Sequence, residues 1–254
     1  MVFRCLGRLT VFATFAALAA CTAHVTAIDE VPKPVPAEIE DTAPVELVPV
    51  AFGSSSSLSR LYPDVPSIGK AILVNIPSYE LIAFENGRPV MRSRVIVGKP
   101  STPTPVMETA TSVVRFRPTW TPTPRMIRSG KYRPGTRPPG KRNPLGFLAI
   151  RLAPGMLIYL HGTNKPQLFD KDRRAMSHGC VRVERWDEIA AWVLDIDVED
   201  VHRHAHGRRT FDMQTAGVPV IMGYYTRFPD AEGVMQDWPD IYRRGTNVMA
   251  SRTL

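Results

Sequence analysis

Cysteine is scarce in this chain, and its scarcity excludes two classes at once. Only Cys5, Cys21 and Cys180 occur in 254 residues, too few for a disulfide framework or a cysteine-based zinc cluster. No apolar run is long enough for a comfortable membrane-spanning helix, which needs about 20 residues. No internal repeat is present, which argues against solenoids and propellers. Acidic residues are missing altogether from residues 115–151, a stretch with ten Lys or Arg and seven Pro. The formal net charge is +8. Such a charge invites a nucleic-acid reading, but the basic residues are not interleaved with aromatics, and the N-terminus points to export. Nothing in the sequence asks for a cofactor.

The chain opens with Arg4 and Arg8 and then an apolar run over residues 9–20. A basic start, a short apolar middle and small residues before the cut form a signal peptide, residues 1–20. Leu18-Ala19-Ala20-Cys21 is similar to a bacterial lipobox, in which the cysteine becomes the first mature residue and carries lipid. The alternative is an ordinary leader cut near Ala20 or Ala23. Two or three acyl chains anchor stably where one is marginal. The expected location is the periplasm or cell envelope, with the membrane reached through lipid at Cys21.

Residues 21–57 read as a tether. They hold Pro32, Pro34, Pro36, Pro44 and Pro49, six acidic residues, and a run from Ser54 to Ser57. Such a composition buries no core, and extended Pro-rich chain spans about 3 Å per residue. The folded domain is expected over residues 58–247, with residues 248–254 frayed. Residues 71–76, 81–84, 90–97, 113–116, 147–151 and 157–160 are short β-type runs, and Asn86-Gly87 is a hairpin turn between two of them. Residues 218–226 form a further strand. The spacing predicts a mostly β domain, sandwich- or barrel-like, with one or two helices. Residues 121–143 read as a surface loop inside the basic stretch.

The chemistry concentrates in residues 161–183. A short apolar run ends at Leu160, and His161-Gly162-Thr163 follows at once. A charged loop then leads to Ser177-His178-Gly179-Cys180-Val181-Arg182-Val183. Beyond it, Trp186, Ile189, Ala190 and Val193 have the spacing of an amphipathic helix. A thiol with a free pKa of about 8.5 needs a base to become a good nucleophile. His161, at the end of a strand, suits that role better than His178, which shares a tight turn with Cys180. A lone cysteine is usually a small buried hydrophobe, but thiol, imidazole and glycine together in one strand–loop–helix unit favour nucleophilic catalysis. Gly179 leaves room for backbone N–H groups to meet a developing oxyanion. His202, His204 and His206 alternate, yet no cysteine or nearby carboxylate completes a metal set.

His161-Gly162-Thr163, the intervening charged loop and the run from Ser177 to Arg182 resemble the signature of the L,D-transpeptidase catalytic domain family (YkuD type). The resemblance extends over roughly residues 70–245, including residues 72–81, Val95-Ile96-Val97-Gly98-Lys99-Pro100 and Thr102-Pro103-Thr104-Pro105. It is closest to the family's branch of large periplasmic enzymes. The resemblance implies a peptidoglycan stem peptide as substrate, Cys180 as nucleophile and His161 as base. It also makes residues 115–151 a lid beside the active site. That basic segment either draws in the carboxylates of an acidic peptide or is a solvated loop. The acyl-enzyme would be resolved by an amine of a second stem peptide, giving a 3→3 crosslink with D-alanine released. The same thiol could instead serve hydrolysis or protein attachment, and a non-catalytic wall-binding lipoprotein is the reading from another class. Ser177 and His178 would shape the turn. Arg182 would hold a carboxylate, of substrate or of the protein, and Tyr159 would line the cleft or pack. Gly162 and Thr163 would meet substrate. No separate wall-binding module fits outside residues 58–247, so wall targeting is expected from the tether and the basic surface.

Overall fold

The structure is a computed structural model that describes residues 61–153 and 155–245. The expected leader, the tether with Cys21 and the frayed end lie outside the described residues.

Strands β1 (Lys70–Asn75), β2 (Glu80–Glu85) and β3 (Arg88–Gly98) form an antiparallel meander. Asn86 and Gly87 turn the second hairpin with φ of 49° and 71°, the left-handed pair of a two-residue turn. β4 (Met107–Phe116) is followed by a short helix α1 (Pro124–Arg128), then β5 (Leu148–Leu152) and β6 (Tyr159–His161). A 3-10 turn (Pro166–Asp170) leads to β7 (Ala175–Ser177) and β8 (Val181–Val183). Helices α2 (Trp186–Leu194) and α3 (Val198–His206) come next, then β9 (Phe211–Gln214), β10 (Pro219–Gly223) and the hairpin β11 (Arg227–Pro229) and β12 (Met235–Asp237).

The sheet order is β10-β1-β2-β3-β8-β6-β5-β4, and β4 pairs back onto β10, so the sheet closes on itself. β9 adds to β4, and β7 adds to β3. Closure removes most free edges. Ile72 and Val74 of β1 enter the main core with Leu81, Val95 and Tyr224, while Ala71 and Leu73 face a second cluster with Tyr62, Phe84 and Phe228. Burial on both faces explains why β1 is continuously apolar rather than alternating. Ile189, Ala190 and Val193 of α2 and Val201 and Ala205 of α3 join the main core.

The mostly β, barrel-like class expected from sequence is the class observed. Among the described residues there are three α-helices rather than one or two. α1 falls within residues 121–143, read from the sequence as surface loop, and α3 where no helix was expected. In the lid, Thr123 caps α1 by accepting the Met126 N–H at 3.3 Å, and Trp120 and Arg137 exchange backbone bonds of 3.0 and 2.7 Å. α3 is polar at most positions, so only Val201 and Ala205 mark its core face.

Candidate active site

The register of two short strands assembles the site. β6 runs parallel to β8, with Leu160 opposite Val181 and His161 opposite Arg182. Side chains alternate along each strand. Leu160 and Val181 therefore face the core, fully buried. Tyr159, His161, Cys180 and Arg182 face the other way and line one cavity of about 270 Å³. Residues from the lid cover it, among them Trp120, Met126 and Tyr132.

Cys180 sits in the turn between β7 and β8. Its thiol donates to the Leu157 carbonyl at 3.4 Å. Burial pushes the thiol pKa up, and the amide N–H groups of Tyr159 and of Cys180 itself, together with Arg182, oppose that shift. These two amides face the sulfur, so they are the candidate oxyanion donors. The Gly179 N–H is not free for that task, because it donates to Ser177 Oγ at 3.1 Å. Ser177 Oγ in turn donates to the Cys180 carbonyl at 2.5 Å. One hydroxyl thus staples the turn from inside. Gly179 takes φ of +118°, a region closed to other residues at ordinary cost.

His161 is buried at 5% exposure. Its Nδ1 lies 2.6 Å from the Gly162 carbonyl oxygen, which can only accept. Nδ1 therefore carries the proton of the neutral ring, and Nε2 carries the lone pair. Burial, then the charge of Arg182 across the register, push the His161 pKa down to about 3; the Gly162 and Leu145 carbonyls oppose this. The resting pair is neutral thiol and neutral imidazole.

Among the described residues, no carboxylate pairs with Arg182. Burial lowers its pKa, and its Nη1 is buried with no hydrogen-bond partner. His178 also lines the cavity, with Tyr132 edge-on at 5.6 Å. Its Nε2 is buried and unpartnered. Burial, then Lys99, Arg182, Lys131 and Arg125, hold its pKa down.

Two expected substrate contacts sit elsewhere. Gly162 and Thr163 are outside the cavity lining; Gly162 faces the Trp186 ring, and Thr163 Oγ1 accepts the Lys165 N–H at 3.1 Å. The alternating histidines are engaged within the fold, one by a carboxylate and two by aromatic rings. His202 Nε2 is 2.9 Å from Asp187, His204 lies against Phe116 and Phe211, and His206 lies against Phe147.

Sequence reasoning missed Asn143 and Thr104. Asn143 is 1% exposed and holds the basic segment together from within: Nδ2 donates to the Pro118 and Pro138 carbonyls, and Oδ1 accepts the Leu145 N–H. Thr104 donates to the Gly179 carbonyl at 2.8 Å. In both cases the partners are backbone groups, which leave no trace in residue type.

A thiol in the turn before β8 and a buried neutral imidazole at the end of β6 thus line one cavity, together with residues of the basic segment. The sequence model of the L,D-transpeptidase catalytic domain (YkuD) matches residues 69–222, and the chain belongs to that family. A Haemophilus influenzae protein named "Putative L,D-transpeptidase" is 28% identical over 221 residues, 70% of this chain and 45% of that one. An Escherichia coli K12 protein named "Probable L,D-transpeptidase YcfS" is 39% identical over 140 residues, 52% of this chain and 42% of that one. The chain thus spans less than half the length of these curated relatives. An L,D-transpeptidase structure from Mycobacterium smegmatis superposes with a TM-score of 0.39 at 18% identity, over 60% of this chain and 58% of that one.

Proposed function

We propose that this chain is a peptidoglycan L,D-transpeptidase that forms 3→3 crosslinks through a cysteinyl acyl-enzyme. The observation that carries the reading is the placement on one cavity of Cys180, His161 and Arg182, whose buried Nη1 has no hydrogen-bond partner among the described residues. A purely wall-binding protein has no use for that set.

The neutral resting pair sets the order of events. Proton transfer from thiol to imidazole is uphill in the empty site, so the S–H proton moves to His161 Nε2 as sulfur attacks. The target is the carbonyl of the third stem residue, at the L centre of its diamino acid. A carboxylate of the peptide docks on Arg182. That also neutralises the charge that holds the His161 pKa down. The Tyr159 and Cys180 amides receive the oxyanion. As the C–N bond to D-alanine breaks, the imidazolium protonates the leaving amine. An amine of a second stem peptide then attacks the thioester, gives its proton back through His161, and frees the thiol.

Export by the leader, lipid at Cys21 and the Pro-rich tether complete the proposal. They put the domain in the periplasm, held off the membrane at up to roughly 100 Å by extended chain.

The test is intact-mass spectrometry of the protein mixed with a disaccharide tetrapeptide, beside Cys180→Ala. A Cys180-dependent adduct followed by crosslinked dimer and free D-alanine is the expected result. Adduct with tripeptide alone would mean that water is the acceptor. Peptide bound with no adduct would leave a wall-binding protein.

A further inference from the structure

Cys180 follows a glycine, and that raises a mechanical problem. With no Cβ at Gly179, the peptide unit between Gly179 and Cys180 has a soft hinge on its near side. Its N–H is one of the two amides that face the sulfur. A donor that can swivel is a poor oxyanion donor, since the benefit comes from orientation fixed before reaction.

Thr104 supplies the missing constraint. It is fully buried, and its hydroxyl makes two bonds whose directions are forced. The Gly98 N–H can only donate, and it reaches Thr104 Oγ1 at 2.9 Å. The Gly179 carbonyl can only accept, and Thr104 Oγ1 donates to it at 2.8 Å. The peptide is planar and trans, so its C=O and N–H point in opposite directions. Holding the Gly179 oxygen therefore aims the Cys180 N–H.

The clamp is itself held. The loop carrying Thr104 folds so closely over Gly98 that an added Cβ there would lie 2.2 Å from the Thr102 oxygen and 2.6 Å from the Thr104 nitrogen. Thr102 Oγ1 donates to the Ser177 carbonyl at 3.1 Å. Tyr242 Oη accepts the Thr104 N–H at 3.1 Å and donates to the Gly98 carbonyl at 2.5 Å. Tyr242 is fixed in turn by its N–H on Tyr224 Oη at 2.7 Å, and Tyr224 by Asp240.

We infer that Thr104 is the positioning residue of the oxyanion site: its hydroxyl fixes the Gly179–Cys180 peptide so that the Cys180 N–H faces the reacting carbonyl. The inference rests on Cys180 as the acyl-accepting nucleophile, but not on which peptide is the acyl donor.

Two reagents separate positioning from mere structure. p-Nitrophenyl acetate acylates the thiol: a C–S bond forms, the C–O bond to p-nitrophenolate breaks, the thiol proton leaves, and an oxyanion develops on the way. Iodoacetamide alkylates the same sulfur by displacement of iodide, with no oxyanion. Thr104→Val keeps the shape and removes both hydroxyl bonds. It is expected to slow acylation roughly 10- to 100-fold, below the loss seen when a donor is deleted outright, and to leave alkylation within about twofold of wild type. Thr104→Ser is expected to restore acylation. Tyr242→Phe is expected to show the same split, more weakly. The inference is overturned if Thr104→Val acylates like wild type, if both rates fall together, if serine fails to rescue, or if wild-type Cys180 is not acylated at all. Should the tetrapeptide fail as donor while the two rates still split, the stem-peptide reading falls and the role of Thr104 stands.

Discussion

His161 shows most clearly how a single residue is tuned by its surroundings. An ordinary histidine takes a proton near pH 6.5, whereas burial and Arg182 hold this one down to about 3. The sign of the linkage follows. Below pH 6.5 the unfolded chain binds a proton that the folded chain refuses, so stability is full above that pH and is lost as pH falls toward 3. The loss is expected at up to about 1.4 kcal/mol per pH unit. Denaturant melts of wild type and His161→Gln between pH 7 and pH 4 check this. The variant should show the shallower slope, and parallel slopes would refute it. At Ser177 the expectation is structural. Alanine there strands the Cys180 carbonyl and the Gly179 N–H, at a cost of roughly 1–3 kcal/mol, read as a lower denaturation midpoint at unchanged m-value. How much was legible divides along a chemical line. Cys180 and His161 stand out because thiol and imidazole are reactive side-chain types. Thr104 and Asn143 act through backbone carbonyls. Thr104 and Gly179 are 75 positions apart in the chain, and nothing in either residue type announces the contact.

At the scale of elements, strands were easier to read than the pairing that makes the site. β1 could be seen because it is buried on both faces and therefore continuously apolar. β6 and β8 are three residues each, too short for periodicity to report. Yet their parallel register, His161 opposite Arg182, is what brings the imidazole, the thiol and the guanidinium to one cavity. Helix α3 escaped notice because histidines and charges fill most of its turns and only two side chains are buried. The lid was visible as an acid-free basic stretch, but not its anchoring. Asn143 makes three hydrogen bonds that span residues 118–145. Asn143→Ala should loosen the lid while the closed sheet stays folded. Two readouts follow: faster tryptic cutting within residues 125–142, and faster alkylation of Cys180 by iodoacetamide, because Trp120, Met126 and Tyr132 no longer cover it as fully. A variant cut and alkylated at wild-type rates would show that the lid is held by something else.

For the whole molecule the relevant quantity is the charge distribution. From residue 58 onward the chain holds 29 Lys or Arg and 18 Asp or Glu, a net +11, while residues 21–57 hold six Asp or Glu. Among the described residues, no cation of residues 117–142 forms a salt bridge. Arg128, Lys131, Arg133 and Lys141 are all exposed. Lid cations spent on holding the fold would be paired; these project field outward beside the cavity mouth instead. A field of this kind acts on encounter with a charged partner, and salt screens it over about 10 Å at 0.1 M. Changing these four residues to glutamine should therefore leave the melting temperature nearly unchanged and weaken binding to isolated peptidoglycan several-fold at low salt. Above about 0.5 M salt the wild type and the variant should converge, because the Debye length is then shorter than the gap the field must cross. A cosedimentation series against salt measures both. A variant that binds like wild type at every salt would mean that the basic surface is only a solvated loop, and that wall recognition rests with the cavity and Arg182.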